Sequence, residues 1–298
     1  MRSIFDNKTN TILSRGDLKR GKYQAVYWVM FAILVLLSLI CIIPVFWILM
    51  SCFKSTQEIF SATPSFFPRE WNTDGLAEAW EKLQLWPNIL STVVLSVGNL
   101  LISLVVCGLG GYVLSRLRPV GHKLIFTLVI WTMMMPAQVR IVPLYMSFID
   151  FPIGGFSLVD SYVPLWLITA ANCFNIMLFK NHFDTISISL VEASKLDGCG
   201  DIRTFFHVIV PLSVPIIMFV GISCVNISWS EFFWSMLVLD DANLQTIPVR
   251  IFKLSADTSI TMKIYMVALL FACIPPFIIF LIFQRQIVGG INVGGVKG

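Results

Sequence analysis

Five stretches of this chain contain no Asp, Glu, Lys or Arg: 23–53, 83–115, 161–179, 204–230 and 264–284. A sixth, 124–149, is interrupted only by Arg140. A helix needs about 20 consecutive apolar residues to cross the hydrocarbon core of a bilayer. It also satisfies its own backbone hydrogen bonds there, which an open strand does not. The runs therefore predict an all-α membrane protein with six transmembrane helices, near 25–50, 89–113, 122–147, 162–181, 205–228 and 264–284. The fourth run is short, but Lys180 and Asn181 can reach toward the headgroups and extend it. Composition agrees: at 57% apolar and 13% charged residues, the chain has too little charge to cover a soluble domain.

An even number of spans puts both ends on one side of the membrane, and the distribution of Lys and Arg says which. Fourteen of the 21 lie in the tails and in the loops after spans two and four; six lie in the opposite loops, and Arg140 falls within a run. The positive-inside rule then makes both termini cytoplasmic. The implied organisation is a cytoplasmic tail over 1–22, a membrane domain over 23–288 with a cytoplasmic loop near 182–204, and a cytoplasmic tail over 289–298. The main external loops are 54–88 and 239–263. The first carries Trp71, Trp80, Trp86 and five acidic residues, which reads as a folded surface element. The first apolar run follows Arg15, Lys19, Arg20 and Lys22 but is too long for a signal peptide and lacks a small-residue cleavage site, so it reads as a retained helix.

Several chemistries are excluded. No G-x-x-x-x-G-K-[ST] loop is present to cradle the phosphates of ATP. The three histidines have no metal-ligand spacing, and none of the seven cysteines forms a C-x-x-C pair. Cys41, Cys107, Cys173, Cys224 and Cys273 lie in apolar runs and read as small packing residues. No catalytic or metal site is expected. A net charge of +4, spread along the chain, gives no nucleic-acid footprint.

The most informative stretch runs from Ile186 to Pro211 and reads as helix, turn, helix. Ser189 and Glu192 have capping-box spacing, with Ser187 as an alternative cap. Ile186, Leu190 and Ala193 fall on one face; Glu192 and Lys195 share another. Gly198 can take the left-handed conformation that ends a helix, and Asp201 can cap the next one, which leads into span five. Glu192, Ala193, Ser194, Gly198, Val208, Val210 and Pro211 stand where the EAA motif of bacterial ABC importer permeases, E-A-A-x3-G-x9-I-x-L-P, has its fixed positions. The chain resembles that family, with three conservative departures (Ser194, Val208 and Val210) that add no bulk. Further matches are Gly111-Tyr-Val-Leu-Ser-Arg116 with Gly121, similar to the family's A-Y-A-L-A-R, and Met135-Pro136 with Ile141-Val-Pro143-Leu-Tyr145. Trp229-Ser-Glu231-Phe-Phe-Trp234 is similar to its W-N-E-F-x-W, and the end from Phe283 to Gly298 resembles maltose- and glycerol-phosphate-type permeases.

The resemblance implies the fold of a type I importer permease and a non-catalytic transport role. The cargo it implies is a sugar or oligosaccharide, with another solute such as glycerol phosphate as the alternative. An ion-coupled secondary carrier is the competing class, and it would need several intramembrane acids or histidines. The implied partners are a second homologous permease chain, two cytoplasmic ATPase subunits that hold ATP and Mg2+, an extracellular solute-binding protein and membrane lipid; the chain itself would bind no cofactor. By resemblance, Glu192, Ala193, Ser194, Lys195, Asp197, Gly198, Arg203 and Pro211 couple to the ATPase. The tail residues Gly294, Gly295, Lys297 and Gly298 reach the seam between the ATPase subunits.

Three residues are candidates for the translocation path. Glu231 could offer a hydrogen bond to a sugar hydroxyl, or cap a helix or meet a partner subunit where span five breaks. Arg140, between Pro136 and Pro143, could line the path, snorkel or pair with a partner helix. Trp229 neighbours Glu231. Phe174, Trp166 and Trp131 could stack on sugar rings, though packing accounts for them equally well.

Overall fold

The computed structural model describes residues 21–290, apart from Pro64 and Gln84. All regular structure among them is helical. The chain divides into two compact units, Met1–Thr73 and Asp74–Gly298.

In the first unit, α1 (Gly21–Ser51) carries the first charge-free run, and the core of its apolar window is wholly unburied. Lipid is the solvent that suits such a helix. Beyond it lies α2 (Thr56–Ile59). Lys54 is buried there; its ammonium donates to the Ser65 carbonyl and lies 4.2 Å from the centre of the Trp47 ring. Glu58 accepts from Ser65 Oγ and from the Arg69 N–H, both at 2.9 Å. These local ties fold the segment that follows the first span.

The second unit opens with the amphipathic α3 (Asp74–Leu83) and is organised around α4 (Trp86–Tyr112), which continues through a π-helical turn, Val113–Leu117. α4 packs against α7 (Val163–Ala170), α8 (Cys173–Thr185) and α12 (Val214–Ser230). Small residues permit the approach. Gly98 lies under the Trp166 indole, and a Cβ on Gly111 would stand 2.6 Å from Phe179 Cβ.

Polar side chains then fix the register of α4 at two levels. Near its start, Asn88 donates to the carbonyls of Ala242 (3.0 Å) and Gln245 (2.8 Å), and Thr92 Oγ1 accepts from the Ile247 N–H at 2.9 Å. Further along, buried Asn99 donates to Ser228 Oγ at 2.7 Å and accepts from Thr169 Oγ1 at 2.5 Å. Such groups are costly in hydrocarbon unless paired, so each bond also selects one packing arrangement.

Three of the six predicted spans are bent pairs of helices. The run 122–147 is α5 (His122–Met134) and α6 (Ala137–Ile149), turned by 103°. The turn falls at Met135 and Pro136, both outside helical geometry, while Pro143 lies inside α6. Proline disfavours helical geometry in the residue before it, so Met135 leaves the helix. The fourth run bends by 42° between α7 and α8, where Asn172 caps α8 by accepting from the Asn175 N–H at 3.1 Å.

The fifth run turns by 83° at Ser213, between the segment Asp201–Leu212 and α12. Its predicted start near 205 therefore lies outside the straight span. Prolines 211 and 215 flank the turn and lack the N–H groups a continuous helix would need.

Beyond α12 come α13 (Phe233–Val238) and α14 (Ile247–Ala256). The last helix, α15 (Met262–Gly290), tolerates Pro275 and Pro276 and extends two residues into the predicted tail. Gly294, Gly295, Lys297 and Gly298 lie outside the described residues.

Candidate functional site

The segment after α8 forms a tight helical hairpin. Its first arm is α9 (Ile188–Leu196), and its second begins as α10 (Asp201–Thr204), passes through a π-helical turn, Phe205–Ile209, and ends as α11 (Val210–Leu212). Gly198 has φ +80°. The Cys199 N–H reaches the Ser194 carbonyl and the Gly198 N–H reaches the Lys195 carbonyl, both at 3.0 Å. Together these make a Schellman motif, which closes α9 and sends the chain back on itself.

The start of α9 corrects the capping-box expectation. Ser187 is the N-cap residue, so Ser189 already lies inside the helix and Glu192 is too far along to reach back. Ser187 and Ser189 pair with each other at 2.7 Å instead. The buried face is corrected too. Val191 and Ser194 are turned inward with a half-buried Ile186, whereas Leu190 and Ala193 are exposed. The i, i+3 pair 191 and 194 meets the core because Val191 joins the cluster of Tyr112, Phe183, Phe205 and Ile209, and Ser194 reaches Thr204 on the second arm.

Ser194, one of the departures from the motif, is buried against its own protein. Its hydroxyl donates to the Val191 carbonyl at 2.8 Å and lies 2.9 Å from Thr204 Oγ1, pinning the two arms together. Asp201 does not cap the second arm; Gly200 occupies the cap position with no side-chain bond. The Asp201 carboxylate instead pairs with Lys195 Nζ at 2.9 Å. The hydrogen bond to Asp201, with its charge, raises the Lys195 pKa above the ordinary lysine value.

What remains exposed is a mixed surface. Leu196 (89%), Ile202 (74%) and Phe206 are bare apolar side chains, and Glu192, Asp197 and Arg203 stand among them. Apolar knobs rimmed by charge are the composition of an interaction patch. Pro211 is exposed at the second helical position of α11, just before the 83° turn.

Beneath the hairpin lies a core cluster that includes Tyr112, Phe179, Phe183, Val191, Phe205 and Ile209. The end of α4 and the π-helical turn after it meet the hairpin and the end of α8 through polar contacts that local spacing does not reveal. Tyr112 Oη donates to the Asp201 carbonyl at 3.2 Å. The Arg116 guanidinium donates to the carbonyls of Phe183 and Ile186. Ser115 Oγ donates to Asp184 Oδ1 at 2.7 Å, and Asp184 also pairs with Lys180 at 2.7 Å. The signal available in the sequence was Gly111–Arg116 itself, three polar groups at i, i+3 and i+4 ending a charge-free run.

The three path candidates are not brought together. Glu231 Oε1 accepts from the Trp234 N–H at 2.8 Å, so it caps the start of α13. Trp229 is buried, with its indole N–H 3.4 Å from the Ala272 carbonyl, and lines an apolar cavity of about 280 Å³ between α12 and α15. Arg140 alone lines the larger cleft, of about 760 Å³, together with Thr132, Asn172, Phe174 and Trp234. Trp166 packs on α4, its indole N–H 3.3 Å from the Leu95 carbonyl.

Comparison with known proteins places this geometry. The family described as binding-protein-dependent transport system inner membrane component matches residues 105–293, which include the whole hairpin and the turn from Tyr112 to Leu117 beneath it. Over 257 residues the chain is 31% identical to the probable ABC transporter permease protein YurM of Bacillus subtilis, covering 86% of this chain and 83% of that protein. It is 28% identical over 267 residues to the diacetylchitobiose uptake system permease protein NgcG of Streptomyces coelicolor, covering 88% and 86%. A chain from the crystal structure of a bacterial ABC transporter that imports the acidic polysaccharide alginate shares the fold, with TM-score 0.78 at 22% identity over 92% of this chain and 99% of that one.

Proposed function

We propose, from the premise that this chain belongs to the family of binding-protein-dependent transport system inner membrane components, that it is a permease subunit of an ATP-driven sugar importer. The hairpin carries the reading. It is stapled to its own protein on one side by Val191, Ser194 and Tyr112 and presents Glu192, Leu196, Ile202 and Arg203 on the other. That is the arrangement of a knob built to be held by a separate subunit. The relatives' names support an oligosaccharide as cargo: diacetylchitobiose for one, and melibiose, raffinose and stachyose for another.

Two cytoplasmic ATPase subunits bind ATP and Mg2+ and hold the hairpins of this chain and of a second permease chain. Their closure moves the hairpins together and opens the spans outward. A solute-binding protein then delivers sugar, and hydrolysis resets the system. Reconstituted with these partners in proteoliposomes, the chain should support uptake of labelled oligosaccharide that stops when ATP is withheld. The panel to test is diacetylchitobiose, raffinose and arabinooligosaccharide. Uptake by the purified chain alone, driven by an ion gradient, would replace this reading with a carrier.

The Lys/Arg asymmetry supports placing both termini and the hairpin in the cytoplasm. A single cysteine at position 195, in a background without the native cysteines, should resist an impermeant reagent added outside intact cells and react once the membrane is opened. Labelling from outside in intact cells would reverse the orientation.

A further inference from the structure

We propose that Tyr112 and Arg116 are positioning residues that make α4 and the hairpin move as one body, so that α4 carries the hairpin's displacement across the membrane. This rests on the transport reading above. The two side chains are four apart on one helical face, with Ser115 beside them, so a single turn presents all three groups to the hairpin.

They hold different ends of it. Arg116 donates to the Phe183 carbonyl in the last turn of α8 and to the Ile186 carbonyl in the two-residue link before α9. A cation at the C-terminal end of a helix also meets the negative end of its dipole. Tyr112 holds the far side, through the Asp201 carbonyl at the start of the second arm, and its ring packs 5.1 Å from that of Phe205. Ser115 adds the bond to Asp184. The segment between these grips is closed on itself by the Schellman turn, the Ser194–Thr204 contact and the Lys195–Asp201 pair. A hairpin fixed at both feet to one turn cannot swing without that turn.

The rest of α4 can receive the motion. It is tied to α12 and α7 through Asn99, and near its start to residues 242–247 through Asn88 and Thr92. A displacement at Tyr112 and Arg116 therefore reaches the opposite end of the helix through bonded contacts rather than through compliant packing.

The test is a distance measurement in the assembled transporter. Spin labels go on Ile188→Cys in α9 and Val105→Cys in α4, both exposed positions, with the native cysteines replaced. Distances are read without nucleotide and after trapping with ATP and vanadate. In the otherwise native chain the distribution should stay narrow and unmoved by trapping. In Arg116→Gln and in Tyr112→Phe it should broaden, or shift on trapping by about 2 Å or more, the scale of helix movements in switching proteins. Arg116→Lys keeps the charge and should fall between.

A distance that shifts on trapping in the native chain overturns the proposal, as do variants that keep the native distribution in both states. Should Arg116→Gln fail to assemble, Tyr112→Phe decides, because it removes one oxygen and keeps the ring against Phe205. A chain that assembles with no ATPase overturns the transport reading and this proposal with it.

Discussion

Replacing Gly198 with valine is expected to lower sugar transported per ATP hydrolysed by about 5- to 30-fold in the reconstituted complex, with the chain still inserted in the membrane. Gly198 sits at φ +80°. An L-residue there costs roughly 1–2 kcal/mol, which corresponds to a factor of about 5–30 in the ratio of the native turn to its alternatives. The cost is conformational alone, since a Cβ added at Gly198 would meet nothing within 4 Å. This makes the effect separable. Asparagine tolerates left-handed backbone and should keep most of the coupling, alanine should lose an intermediate amount, and valine, branched at Cβ, the most. Glu192→Lys tests the other half of the idea, because it reverses an exposed charge without touching the turn. Equal coupling across asparagine, alanine and valine would show that the shape of the hairpin does not matter to coupling.

The second large effect belongs to Gly111. A Cβ there would stand 2.6 Å from Phe179 Cβ and 2.9 Å from the Lys180 backbone nitrogen, so neither neighbour can simply rotate away. α4 and α8 would have to separate at their most extensive contact. Gly111→Val should therefore cost about 1–3 kcal/mol through overpacking, and the tie from Arg116 to the end of α8 should loosen with it. The expected result is a several-fold loss of folded, monodisperse protein after detergent extraction, together with a lower unfolding temperature. Gly110→Ala is the matched control, since its nearest contact would be Ile176 at 3.7 Å, an ordinary van der Waals distance. If both variants extract and melt alike, the close approach of α4 and α8 is not needed for folding.

These two glycines stand differently in relation to the sequence. Gly198 was legible, because a helix with a polar N-cap, a glycine eleven residues after it and a second helix start leave one conformation for the turn. Gly111 was visible only as a letter in a motif. Its purpose, to let Phe179 and Lys180 approach, depends on which helix packs beside it. Local spacing also misplaced details that burial decides. Ser189 and Glu192 had the spacing of a capping box, but the helix begins before them. Leu190 and Ala193 looked like the inner face, yet Val191 and Ser194 hold that place. Arg140, Trp229 and Glu231 share the character of path residues, yet the fold separates them between a cleft, an apolar cavity and a cap.

That the chain is a helical membrane protein follows from its residues alone, because uncharged runs of that length have no other favourable solvent and no other way to satisfy their backbone. The residues also determine where the hairpin lies, since glycine, proline and charge interrupt apolar periodicity only by local rules. The packing of the folded chain is what bends three spans, sets α7, α8 and α12 against α4, and brings Arg116 and Tyr112 to the two feet of the hairpin. Residue 116 meets 183 and 186, and residue 112 meets 201, across some 70 to 90 positions of chain. Such pairings follow from which helices pack together, a choice made by the summed fit of many side chains and written in no single stretch of sequence.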